Sequence, residues 1–268
     1  MKIAYLDCFA GISGDMFLGA LIDLGVEVDQ LRQELSKLGI QGYELSVRRV
    51  MRKGISGTKV DVKVTEDQPH RHLKDIVAIL ENSQLADAIK QDAKNIFARL
   101  ASAEGKIHGR PPENVHFHEV GAVDAVVDIV GTLIGLAKLE IEEVYCSPLN
   151  VGSGTVRCAH GVMPVPAPAT AEILINVPIY TAGPTVELVT PTGAALVKYL
   201  SRDFGPMPAM ILKGVGYGAG DRDMEIPNLL RVMVGEPEPR QYHYQWTGEA
   251  YDPAQIHNHG HCHNREHN

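Results

Sequence analysis

The spacing of apolar residues divides this chain into a helical first half and a strand-and-loop second half. "KIAYLD" (residues 2–7) is a short apolar run closed by an aspartate, and "CFAGISG" is a glycine-bearing turn. "DMFLGALIDLGV" then repeats apolar side chains at helical spacing, with Asp15 placed to cap or open the helix. The pattern predicts a strand–loop–helix start, as in α/β proteins. "VDQLRQELSKLGI" predicts a second helix stopped at Gly39. Apolar and polar residues alternate on both sides of "KGISG", which predicts a pair of strands between residues 42 and 67. Residues 70–109 read as helical with a break near Asn82–Ser83, and "VGAVDAVVDIVGTLIGLAKL" (120–139) as a third long helix.

From Glu143 onward glycine and proline accumulate and the helical period fades. "ATAEILIN" predicts a short helix, "PIYTAGPTVELVTP" reads as strand-like, and "TGAALVKYL" predicts another helix. "MPAMILKGVGYGAGDRDMEIPNLLRVMVG" predicts two strands flanking a glycine-rich loop. Beyond Gly235 the periodicity disappears. The expected organisation is a folded region over 1–235, with a soft boundary near 141–147, followed by a disordered histidine-rich tail over 236–268. The expected class is α/β, with mixed α+β as the alternative.

Composition narrows the function. The 268 residues are 44% hydrophobic and 22% charged, as in globular chains. The formal charge of −8, from 25 basic and 33 acidic side chains, argues against a nucleic-acid binder, which would carry a basic face. No apolar run approaches the roughly 20 residues that span a bilayer, and the N-terminus reads as a strand, not a signal peptide. Cys8, Cys146, Cys158 and Cys262 lack CxxC spacing, so neither a disulfide framework nor a thiolate zinc site is predicted. A reducing cytoplasm is the expected location.

The chemistry concentrates in a few stretches. In "HFHEVGAVDAVVDIV" (116–130), His116 and His118 are two apart, so on an extended strand they point to one side, as two imidazole ligands of one metal would. Asp124 and Asp128 are at i and i+4 on the helix, with Gly121, Gly131 and Gly135 near the same stripe. That small, acidic face suits a cation, a proton or a close backbone; the plainer alternative is that Glu119 caps the helix and both aspartates bond to neighbouring backbone. "DCFAGISGD" is a turn whose Gly11, Ser13 and Gly14 precede a helix and suit an anion such as phosphate, with Asp7 and Asp15 flanking it. It is neither a Walker loop nor a GxGxxG fingerprint. Arg157 and His160 stand in a loop almost free of charge, Arg157 suited to a carboxylate or phosphate and His160 to acid–base chemistry or ligation. Thr190 and Thr192 precede a small-residue helix start, again an anion-type geometry, and Gly214, Gly216, Gly218 and Gly220 clear one side of a strand or loop for close contact.

The tail "HNHGHCHNREHN" holds five of the chain's 12 histidines. Of these, His257, His259, His261 and His263 alternate around Cys262, a tract that binds Ni, Zn or Cu without needing a fold.

Taken together, "YLDCFAGISGDMFLGALIDLG", "HFHEVGAVDAVVDIVG", "SPLNVGSGTVRCAHGVMPVPAPAT", "ELVTPTGAALV" and "GYGAGDRD" resemble the LarC family, the nickel-insertion proteins of nickel-pincer cofactor synthesis. The resemblance implies a nickel chelatase of the lyase class. It would insert Ni²⁺ into pyridinium-3,5-bisthiocarboxylic acid mononucleotide, forming the cofactor of lactate racemase, with CTP hydrolysed and Mn²⁺ or Mg²⁺ required. It also implies a C-terminal LarC portion holding the CTP–metal site, with this chain reading as the N-terminal part that ends inside the histidine-rich stretch. Apo-lactate racemase would receive the cofactor, and a homo-oligomer is expected. On this resemblance, His118, Glu119 and Asp124 are candidates to remove the ring proton. His116, His118, Asp128 and His160 are candidate nickel ligands, with the tail histidines gathering the metal. Gly11, Ser13, Gly14, Asp15, Arg157 and Thr192 are candidates for the substrate and its phosphate. Two readings of other classes stay open: a nickel-storage or metallochaperone protein without chemistry of its own, and an unrelated nucleotide-binding enzyme using the N-terminal turn.

Overall fold

The run Lys2–Asp7 is strand β1, and Ile3, Ala4, Tyr5 and Leu6 within it are all buried, so both faces of the strand are covered. This computed structural model describes residues 1–66, 68, 71–115, 117, 123–158 and 161–238. After β1 come α1 (Gly14–Asp23), α2 (Val28–Ser36), β2 (Tyr43–Arg52), β3 (Ile55–Val64), α3 (Leu73–Asn82) and α4 (Asp87–His108). A 3-10 turn at Pro112–Asn114 leads to α5 (Val123–Lys138), β4 (Ile141–Cys146), β5 (Leu149–Asn150), β6 (Thr155–Cys158), β7 (Gly161–Pro164) and α6 (Pro168–Ile173). The described chain finishes with β8 (Ile179–Tyr180), α7 (Pro191–Leu200), β9 (Ser201–Phe204), β10 (Met210–Ala219) and β11 (Leu229–Pro237).

Seven strands form one mixed sheet in the order β2-β3-β10-β11-β1-β4-β9. One end is parallel, β1 to β4 and β4 to β9, as crossovers through helices require. At the other end β11 and β10 add antiparallel hairpin partners, and β2–β3 is a ten-pair antiparallel hairpin joined to β10 through the single pair Gly218–Thr58. The fold is α/β with a mixed sheet. Ile141–Cys146, where the sequence changes character, is β4, paired along β1 inside the sheet.

α1 lies across β10 and β3 and against α5. Most of α5 is apolar, and twelve of its residues are buried, as in a helix enclosed on nearly all sides. Its glycines meet α1 side chains: a Cβ on Gly131 would lie 3.0 Å from Leu18, and one on Gly135 2.9 Å from Leu21.

Three local expectations are narrowed or corrected. Of the strand and the loop open to them, Gly214, Gly216 and Gly218 lie in the strand, within β10, so the glycine-rich loop between the two strands begins only at Gly220. They are strand residues because α1 rests on that backbone: a Cβ on Gly216 would come 2.7 Å from Leu24, and one on Gly218 2.7 Å from the Ala20 nitrogen. The stretch 178–191 is strand only at Ile179–Tyr180, with single bridges from Val189 to Ile12 and from Glu187 to Gly152. Gly183 at φ +78 and the following Pro184 interrupt it. Finally, of the two roles open to Asp15 it takes the second: it opens α1 from the first turn, its side chain drawn to a lysine, while Ser13 is the N-cap residue.

Candidate functional site

Two helix starts face one hollow. Ser13 precedes α1, and Thr190 precedes α7 with its Oγ1 accepting a hydrogen bond from the Gly193 N–H at 3.1 Å. Helix α7 is pressed onto the 11–13 loop so closely that a Cβ on Gly193 would lie 2.8 Å from the Ile12 carbonyl carbon. With β3, the first turns of α5 and the loop after β10, these elements enclose a cavity of ≈ 380 Å³. A second hollow of ≈ 180 Å³, sharing Ser13, Asp15, Glu187, Thr190 and Asp221 with it, runs beneath Arg222, Met224 and Asn228.

The cavity wall is acidic. Asp15, Asp61, Asp124, Asp128, Glu187 and Asp221 all line it, against one lysine, Lys59. Lys59 on β3 is 2% exposed and its Nζ bonds to Asp15, which also accepts the Ser13 hydroxyl. Burial pulls the Lys59 ammonium down, but the charges of Asp15 and Asp221 outweigh it and hold the group above its ordinary value.

Asp128 of α5 lies against the start of α1. Gly14 makes room for it, since a Cβ there would lie 2.6 Å from Asp128 Oδ2. Burial above all, then the negative charges of Asp15 and Asp124, push its carboxyl well above the usual carboxylate range; Lys59 and the Asp15 backbone N–H pull the other way. Its Oδ1 is buried with no hydrogen-bond partner. Asp124, one turn earlier at the mouth, accepts the Ala125 N–H at 2.9 Å. Loss of water to the cavity walls raises its carboxyl, the backbone bonds lower it, and Asp15 adds a smaller upward push. Carboxyls raised in this way keep their protons to higher pH than an exposed aspartate does, and can give up a proton in exchange for a cation.

Of the residues picked out by sequence, Ser13, Gly14, Asp15, Asp124, Asp128 and Thr192 come together on this cavity. Gly11 stands behind it: at φ +77, it lets Leu188 approach, with the Ile12 N–H donating to the Leu188 carbonyl at 2.9 Å. Asp7 points elsewhere, paired with Arg231. Arg157 is exposed on β6, outside the cavity lining. His116, His118, Glu119, His160, His257, His259, His261 and His263 lie outside the described residues. Cys8 and Cys146 are free, buried thiols with sulfurs 3.6 Å apart at the ends of adjacent strands. Among the described residues, no group of three or more His, Cys, Asp or Glu side chains is arranged to hold a metal, and no helix is long and apolar enough to cross a membrane.

Sequence reasoning missed Lys59, Asp61, Glu187 and Asp221. Lys59 and Asp61 had a signal in "TKVDV": at i and i+2 on a strand they share a face and carry opposite charges. Asp221 and Glu187 join them only through tertiary packing.

The α/β fold thus gathers six acidic side chains and one buried lysine around a cavity between two helix starts. The chain belongs to the nickel insertion protein family, whose model matches residues 4–255. It is 54% identical over 236 residues to the pyridinium-3,5-bisthiocarboxylic acid mononucleotide nickel insertion protein of Desulfitobacterium hafniense (strain DSM 10664 / DCB-2), covering 88% of this chain and 59% of that protein. To the protein of the same name from Geobacillus kaustophilus (strain HTA426) it is 51% identical over 247 residues, covering 88% of this chain and 60% of that one. The chain thus spans about three-fifths of the length of these relatives. No solved structure matches it.

Proposed function

We propose that this chain handles nickel and substrate in the insertion of Ni²⁺ into pyridinium-3,5-bisthiocarboxylic acid mononucleotide. The observation that carries the reading is the 54% identity, over 88% of the chain, to a relative bearing that name. Joining nickel to a ring carbon releases the proton that carbon carried, so a base must stand beside the ring. Asp124 and Asp128 are the described candidates: both carboxyls are raised, both line the cavity, and Asp128 Oδ1 has no competing partner. On this reading Asp124 takes the proton at the mouth, with His118 and Glu119 as further bases. Asp128 holds nickel in transit with His116, His118 and His160, while His257, His259, His261 and His263 concentrate it nearby. Few protein ligands and open positions suit a metal that must leave again.

The N-terminus of α7 at Thr192 and the turn at Ser13–Gly14 are the proposed seats of the mononucleotide phosphate, as helix starts favour anions. Gly11 shapes that turn from behind, and Asp15 holds it against Lys59. Arg157 would reach the substrate only from the β6–β7 hairpin. CTP with Mn²⁺ or Mg²⁺ belongs, on this reading, to a C-terminal LarC portion. The described residues do not fit that group, because their richest carboxylate cluster already surrounds an ammonium. Cytoplasmic location, homo-oligomer formation and delivery to apo-lactate racemase complete the proposal.

The test is nickel transfer to the bisthiocarboxylate mononucleotide, with CTP and Mn²⁺, read as activation of apo-lactate racemase. It is run with this chain and with a longer form carrying a C-terminal portion. Transfer that requires the longer form and is lost in Asp124→Asn or Asp128→Asn is the expected result. Nickel bound through the tail alone, with transfer by neither form, would make the protein a nickel store instead.

A further inference from the structure

Lys59 is 2% exposed, and its ammonium has carboxylates on several sides. Asp15 from the first turn of α1 bonds to it, Asp221 from the loop after β10 stands at 3.1 Å, and Asp61 from β3 at 3.5 Å. The Val60 carbonyl oxygen, at 2.9 Å, accepts another of its N–H bonds. An ammonium has three N–H donors, and Asp15, Asp221 and Val60 suffice to take them all. Buried this deeply, the charge persists only because it is paired and fully hydrogen-bonded.

With the ammonium in place these side chains form no metal-binding group. Without it, oxygens of Asp15, Asp221, the Val60 carbonyl and Asp61, which also pairs with Arg48 at 3.1 Å, would face one point, as the oxygen ligands of a hard divalent cation do. On the same cavity, Asp124 and Asp128 form no salt bridge with a lysine or arginine among the described residues, although the Lys59 charge reaches Asp128, and Asp128 Oδ1 has no hydrogen-bond partner. We propose that Lys59 is a tethered counter-cation that keeps divalent metal off Asp15, Asp61 and Asp221, and so confines a diffusible cation to the wall formed by Asp124 and Asp128. The physical reason for such a device is release. A cage of several carboxylates holds an ion with closed coordination, whereas a pair leaves positions for an incoming ligand to take. A covalently attached ammonium neutralises the cage at an effective concentration that no free ion matches. It does so without losing the carboxylates that anchor α1 and the loop after β10.

The inference rests on these contacts alone, not on the nickel reading, and its test needs no turnover, so failed nickel transfer would leave it standing. Bound Mn²⁺, an ion that prefers oxygen ligands, is counted by the loss of the free aqua-ion resonance in the full chain. The histidine tail is present in every variant, so its contribution cancels in the difference. Lys59→Met, folded by circular dichroism, is expected to bind one more equivalent than wild type. Adding Asp61→Asn is expected to remove that equivalent. A folded Lys59→Met with the wild-type count, or an extra equivalent that survives Asp61→Asn, would overturn the proposal. Should Lys59→Met not fold, amine labelling of Lys59 in the wild-type chain decides. Labelling unchanged by millimolar Mn²⁺ supports the tethered cation, and labelling that rises with Mn²⁺ overturns it, because the ion would then be displacing the ammonium.

Discussion

Gly218 of β10 and Met16 of α1 touch backbone to backbone: a Cβ on Gly218 would fall on the Met16 carbonyl oxygen and 2.7 Å from the Ala20 nitrogen. The first turn of α1, which carries Asp15 into the cavity, is therefore seated directly on a strand without side chains at that point. Gly19 completes the seat from the helix side, its Cβ position lying 2.5 Å from the Thr58 carbonyl oxygen. The site's geometry depends on this contact as much as on any charged group.

Gly218→Ala should accordingly lower stability by about 3 kcal/mol or more, at the upper end of the range for overpacked sites. Neither neighbour is a side chain that can swing away. Gly54→Ala is the control, since Gly54 has φ +81 but no atom within 4 Å of its Cβ position; it should cost only about 1–2 kcal/mol of backbone strain. Urea midpoints at constant m-value separate the two, and equal losses would contradict the packing argument.

Thr190→Ala removes the side-chain acceptor that caps α7 and should cost about 1 kcal/mol. Thr190→Ser should restore most of it, because the hydroxyl is what bonds the Gly193 N–H. Thermal unfolding of the three proteins side by side checks this.

Asp128 makes stability depend on pH in a definite direction. Its folded carboxyl is raised above the unfolded value, so between the two the native state holds more protons than the unfolded chain. The stability this confers is present below about pH 3.9, the ordinary carboxylate value. It is lost as pH rises through the raised native value. Asp128→Asn, which imitates the protonated form, should flatten that decline in metal-free buffer. Denaturant midpoints from about pH 4 to about pH 8 read the difference, and a parallel decline in both proteins would assign it to other groups.

In the nickel-transfer assay, Asp124→Asn should lower the rate by roughly 10²-fold or more, the ordinary contribution of a positioned base. Arg157→Ala should leave the rate unchanged, since Arg157 is exposed on β6 and does not line the cavity. A large loss in Arg157→Ala would extend the site onto the β6–β7 hairpin.

Several of the decisive elements were legible in the residues themselves. The apolar run at 2–7, the glycine turn, the start of α1 and the i, i+4 spacing of Asp124 and Asp128 depend on neighbours in sequence, and they appear where the period places them. The break between α3 and α4 follows the Asn82–Ser83 signal for the same reason. What sequence alone did not determine is which glycines serve a ligand and which serve packing. Gly216 and Gly218 meet a helix that lies 190 residues and more away along the chain, a contact only the closed sheet produces. Lys59 read as one charge in an alternating strand until Asp15 and Asp221 were brought to it from two other elements. Local periodicity is set by bonds along the chain, so it can be read from the order of residues. The electrostatics of a cavity are set by distances across it, and those exist only once the sheet has assembled around its buried charge.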